Sequence, residues 1–269
     1  MADVPEFTLS SNNIIEYGSF HVSNSVLASF AVSIVVVIIA VLCTRKAGVV
    51  PTRAQLFLEM IIEFFYNMLK TAYGSEKRAR KYLSYIVTLF LFLLVANQFS
   101  AIPLVSSITT ENGPLFRTST SDWSQTISLA IISLGAAHLI ALTAAPLKHI
   151  GSFIKLEPFF KIRKPSDIGN AFLELFLGLL DIIGELAKVL SMSARLFGNI
   201  FAGEVLIVVI GGLSIYTSFL VPVPFMALSI FSGLVQAFVF TLLALQFMAS
   251  TITNVDPTPL ESDLKPQKI

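Results

Sequence analysis

From Ile168 to Leu213 the chain runs without a proline, apolar for most of its length, yet it carries Glu174, Asp181, Glu185, Lys188, Arg195 and Glu204. As a single helix at about 1.5 Å per residue this stretch is close to 70 Å long. The hydrocarbon core of a bilayer is roughly 30 Å thick. The helix must then lie steeply tilted, roughly 65° from the normal if straight, or break at a glycine such as Gly184 or Gly198. The tilted helix is favoured. Ionised groups inside a membrane cost about 3 kcal/mol each on insertion scales, so each of these charges points to function.

The rest of the chain supports a membrane setting. Hydrophobic residues make up 55% and charged residues only 13%, and the mean hydropathy is +0.79, outside the range of soluble domains. A formal net charge of +1 gives no basic face for nucleic acid. The lone Cys43 cannot form an internal disulfide, and His21, His138 and His149 lack zinc-ligand spacing. No metal or cofactor is expected.

Apolar runs of about 20 residues mark spanning helices. The expected fold class is an all-α membrane protein with about five membrane helices, at about 26–43, 82–105, 125–145, 168–213 and 224–252, the long fourth one paired with a long last one. Between the first two lies an amphipathic segment at about 52–73. There Gln55, Glu59, Glu63 and Asn67 recur every fourth residue among Leu56, Phe57, Ile61, Phe64, Phe65 and Met68, as in a helix lying along a membrane surface. The acidic leader, residues 1–25, has no basic signal region; residues 26–253 form one membrane domain and 254–269 a polar tail. No internal repeat or soluble domain is visible.

Lysine and arginine set the orientation. Arg45, Lys46, Arg53, Lys70, Lys77, Arg78, Arg80 and Lys81 crowd the loop after the first helix, and Lys148, Lys155, Lys161, Arg163 and Lys164 the loop after the third. The intervening loop has Arg117 alone and the Ser214–Val223 turn has none. Both basic loops belong inside, with the N-terminus outside and the C-terminal tail inside.

On a helical wheel at about 100° per residue, Lys188 and Ala202 fall about 20° from Arg195, and Asp181, Ser191 and Asn199 about 40° away. They form one polar stripe. Glu204, nine residues beyond Arg195, projects from the opposite face. Arginine stays charged at any accessible pH, so Arg195 acts electrostatically: it favours the ionised form of a facing carboxylate and repels free cations. Gly198 and Ala202 permit close helix approach. In the last helix Ser229 and Ser232 each fall within about 40° of Gln236 on one face, and the Gln236 amide can accept a guanidinium hydrogen bond.

Plainer readings exist. An arginine near a helix end snorkels to the interface, but Arg195 is central. Glu185 and Lys188, three apart, form either a local ion pair or part of a channel lining, and Asp181 is equally open. Ser229, Ser232 and Gln236 can be ordinary interhelical hydrogen-bonding residues. His138, near Ser133, reads as a packed polar residue, and Asn97 with Pro103 can mark the bent end of the second helix.

The run LSMSARLFGNIFAGE, Leu190 to Glu204, resembles the signature of subunit a of the rotary F-type ATP synthase. So do NQFSAIP from Asn97 to Pro103, the surface helix with Gln55 and Glu59, and GLVQAFVFTLL in the last helix. The resemblance covers most of the chain. It implies a non-catalytic stator subunit, with no nucleotide site of its own, that carries ions to and from a c-ring through two offset half-channels. Its implied partners are the c-ring, the peripheral-stalk b subunits, the rest of the synthase and membrane lipid. The implied location is a bacterial inner membrane or an organellar one. By the same resemblance Arg195 meets the ring carboxylate and blocks leakage, Gln236 is its partner, and Asn199, Ser191 and Lys188 face the ring or line the inside path. Asp181 matches another acidic position and Glu204 the acid of the outside path. Where some members carry a histidine beside that glutamate, Ser229 stands here; either water and Ser229 serve, or His138 substitutes from another helix, and the first is preferred. Ser100 stands where some members have an acid. A stand-alone transporter binding an anionic solute at Arg195 is the alternative, favoured by internal repeats and discontinuous helices; a purely structural or lipid-anchoring role leaves the charges unexplained. Proton and sodium remain open, with proton commoner in the family.

Overall fold

The computed structural model describes residues 13–17, 20–45, 52–99, 109–110, 113–114, 119–153, 165–212 and 221–255. Its helices are α1 (Asn24–Thr44), α2 (Arg53–Tyr73), α3 (Glu76–Phe99), α4 (Trp123–Ala144), α5 (Pro146–Phe153), α6 (Pro165–Gly212) and α7 (Pro222–Val255). Two short antiparallel hairpins accompany them, Asn13–Tyr17 with Phe20–Ser23 and Thr109–Thr110 with Gly113–Pro114. The fold is that of an all-α membrane protein. Four helices, α1, α3, α4 and α7, are long and apolar enough to cross a membrane by length and composition. The charge-bearing α6 is not one of those four, but it is unbroken over 48 residues, about 72 Å at the α-helical rise. Neither Gly184 nor Gly198 interrupts it.

Local chemistry sets the ends. Thr52 caps α2 by accepting the Gln55 N–H, and Gly74, at φ 62°, closes it in the left-handed conformation with its N–H on Lys70 O. That turn folds α2 back on α3, burying Phe65, Leu69 and Tyr73 beside Ala79, Tyr82 and Ile86. Asp122 caps α4 by accepting the Ser124 N–H at 3.1 Å, and it also accepts the Ser25 hydroxyl of α1 at 2.6 Å. Pro146 begins α5, where its missing N–H costs nothing. α3 starts six residues before the expected 82, taking in Lys77, Arg78, Arg80 and Lys81. Residues 100–108, including Ser100 and Pro103, fall outside the described residues, as do 1–12 of the leader and 256–269 of the tail.

The core lies where α3, α4, α6 and α7 meet, around Phe90, Leu93, Leu134, Ala137, Met192, Leu196, Ala237, Phe240 and Met248. Lipid tails are as apolar as these side chains, so close packing and interhelical hydrogen bonds hold such helices together. Gly233 of α7 illustrates the packing: a Cβ there would lie 3.2 Å from Asn97 Cβ on α3. Asn97 Nδ2 donates to Gly233 O at 3.0 Å and Gln98 Nε2 to Ile230 O at 2.9 Å. On α1, by contrast, Phe30, Val37, Ile38 and Leu42 are exposed, as a lipid-facing helix requires.

Candidate functional site: the paired helices α6 and α7

Three contacts fix how α6 and α7 run past each other. A Cβ on Gly203 would stand 3.2 Å from Ser229 Oγ; Ser232 Oγ donates to Asn199 Oδ1 at 2.8 Å; and the Lys188 ammonium lies 5.1 Å from the centre of the Phe247 ring. The number falls along α6 as it rises along α7, so the pair is antiparallel. Arg195 is one turn before Asn199 and Gln236 one turn after Ser232. The Asn199–Ser232 bond therefore brings Arg195 and Gln236 to one level.

At that level the two differ. Arg195 is exposed, and among the described residues it makes no hydrogen bond or ion pair. Gln236 is buried, and its Nε2 has no hydrogen-bond partner. No Arg195–Gln236 hydrogen bond is formed in the isolated chain. Asp181, Ser191, Gly198 and Ala202 are exposed with Arg195, so the polar stripe lies largely on a face of α6 that the chain's own helices leave open. On the neighbouring part of α7 Leu228, Phe231 and Val235 are exposed too.

Other expected residues divide between the two ends of the pair. Glu204 is half-buried, next to the Gly203–Ser229 approach, and Ser229 is half-buried as well. Asn97 is buried and tied to Gly233, four residues beyond Ser229. Toward the other end Lys188 Nζ donates to Glu185 Oε1 at 2.6 Å. Glu185 and Lys188 thus form the local ion pair the sequence allowed.

His138 is not beside Glu204. Its Nε2 lies 3.4 Å from Glu185 Oε2, and its Nδ1 lies 3.2 Å from His149 Nε2 on α5. Glu185 precedes Glu204 by 19 residues on one unbroken helix, about 28 Å along its axis. Of the two arrangements considered for the Glu204 end, Ser229 is present there and His138 is not. The His138–His149–Glu185 contact was missed in sequence because α4, α5 and α6 meet only through packing. Its one sequence signal is two histidines bracketing Pro146. Burial and the adjacent His138 hold His149 below the ordinary histidine value, while Glu185 pulls the other way.

Residues 26–249 match the family described as ATP synthase A chain. The chain is 32% identical over 240 residues to the ATP synthase subunit a of Moorella thermoacetica, covering 89% of this chain and 95% of that one. It is 30% identical over 252 residues to the subunit a of Bacillus pumilus, with 88% and 94% covered. It is 32% identical over 247 residues to the sodium-ion-specific subunit a of Propionigenium modestum, with 89% and 77% covered. By these matches the chain belongs to the ATP synthase A chain family, ion-translocating membrane components of the F-type ATP synthase.

Proposed function

We propose that this chain is the stator subunit that passes ions, protons or else sodium, to and from a ring of c subunits through two offset half-channels, coupling ion flow to rotation. The observation that carries the proposal is Arg195, a permanent charge exposed on the open face of α6 and level with Gln236. A ring carboxylate arriving there meets a cation that lowers its pKa and favours release of its proton. The same cation repels a free ion that would pass directly from one path to the other. Gln236 holds the guanidinium when the ring closes over it, and Ser191, Asn199 and Lys188 extend the polar surface.

Glu204, Ser229 and Asn97 serve the outside-connected path, and Lys188 and Asp181 the inside-connected one. The basic loops support an inside α4–α6 connection and an outside N-terminus, and the bacterial relatives favour the plasma membrane. The c-ring and the peripheral-stalk b subunits are the partners. The transporter reading draws no support from α6, which is continuous rather than broken at a binding site. Purification tests the proposal: the native chain copurifies with a c-ring and catalytic head. Isolation alone, with saturable uptake of a solute, overturns it.

A further inference from the structure

We propose that His149, His138 and Glu185 form a proton relay at the inside end of α6, feeding the inside-connected path and committing the subunit to protons rather than sodium. This rests on the half-channel reading above. Three helices build the relay: His149 Nε2 meets His138 Nδ1 at 3.2 Å, His138 Nε2 meets Glu185 Oε2 at 3.4 Å, and Glu185 Oε1 accepts from Lys188 at 2.6 Å. Lys188 lies on the Arg195 stripe, so the chain of groups begins on α5 in the basic loop and ends at the surface the ring carboxylate sweeps. Among the described residues no group of His, Cys, Asp and Glu is arranged to hold a metal ion.

The chemistry requires only proton transfer. A protonated His149 gives its Nε2 proton to His138 Nδ1 as the His138 Nε2–H bond breaks and a Glu185 Oε2–H bond forms. His149 goes from cation to neutral and Glu185 from anion to neutral, while Lys188 keeps its proton and charge. Glu185 then releases that proton toward the stripe, and the sequence runs backward for protons leaving the ring. Imidazoles exchange protons readily near neutral pH. Among the described residues, the titratable or charged groups around the relay include Glu185 and Lys188 on α6, with Asp181 one turn before Glu185, Lys148 beside His149 on α5, and Tyr85 of α3 near Ser133; α7 contributes the Phe247 ring. A sodium ion gains nothing from such a chain, since both histidines offer it one nitrogen at most while facing each other.

The test uses the assembled synthase in vesicles, with ATP-driven pumping followed as a function of pH on the inside face. A His138→Gln/His149→Gln double variant should pump normally near about pH 6 and fall by about tenfold near about pH 8, where hydronium is scarce; added imidazole should restore it. Glu185→Gln, which keeps the side-chain shape, should show the same slope without imidazole rescue. An assembled double variant with the wild-type pH profile overturns the relay, as does failure of both variants to assemble, which would make the cluster structural. Pumping that depends on sodium and not on pH overturns it too. Arg195→Ala is run in parallel: if that variant pumps, the half-channel reading itself fails, whereas a dead Arg195→Ala beside an unaltered histidine variant removes the relay alone.

Discussion

The Ser232 hydroxyl donates to Asn199 Oδ1 at 2.8 Å, and this bond between α7 and α6 helps fix the level that Arg195 and Gln236 share. Replacing Asn199 by Ala removes the acceptor and its Nδ2 contact with Ser232 O at 3.5 Å. An interhelical hydrogen bond in a membrane is worth about 1 kcal/mol. Asn199→Ala and Ser232→Ala should each lower thermal stability in detergent by that amount, and the double variant should lose little more than either single one. Full additivity in that cycle would show that the bond does not join the helices.

Glycines separate internal packing from the face left open. Gly233→Val meets Asn97 at the α3–α7 crossing and should destabilise the subunit by about 2 kcal/mol. A Cβ at Gly198 has nothing within 4 Å. Gly198→Val should leave thermal unfolding of the isolated subunit within about 1 kcal/mol of the parent while strongly reducing pumping by the complex. Normal pumping with a valine there would show that no partner packs on the stripe.

Asp122 is buried at the start of α4 and accepts from both Ser124 N–H and Ser25 Oγ. Asp122→Ala removes the cap and the charged acceptor of the Ser25 hydroxyl, which keeps only Ser23 Oγ at 3.0 Å, at a cost of about 2 kcal/mol. Ser25→Ala alone should cost less. Melting of the two variants in detergent distinguishes the contributions.

His149 sits below the ordinary histidine value in the folded chain, near 6.5 in the unfolded one. Between those values the unfolded state binds more protons, so stability falls as pH falls through that window and is steady above it. Hydrogen exchange at α5 should quicken as pH drops below about 6.5, after correction for intrinsic rates, and His149→Gln should flatten the dependence.

Hydropathy made the spans legible because apolar length reports the membrane directly. It misplaced the start of α3, since Lys77 to Lys81 are helical yet charged: apolar runs mark the hydrocarbon, and helices continue past it. The hairpin Asn13–Tyr17 with Phe20–Ser23 carried a signal in its Gly18–Ser19 connection. The stripe of Arg195 followed from helical spacing alone, because one element contains it. The bonds from Asn97 to Gly233 and from His138 toward Glu185 join separate helices, and no spacing rule along one helix reaches across.

In the proposed function Arg195 is the charge past which the ring carboxylate must travel. The direct measurement is ATP-driven proton pumping into vesicles by the complex carrying Arg195→Ala, with subunit content checked on the same preparation. Pumping is predicted to fall by on the order of a hundredfold or more while the subunits remain assembled. Pumping at the parent rate by the assembled variant would contradict the account.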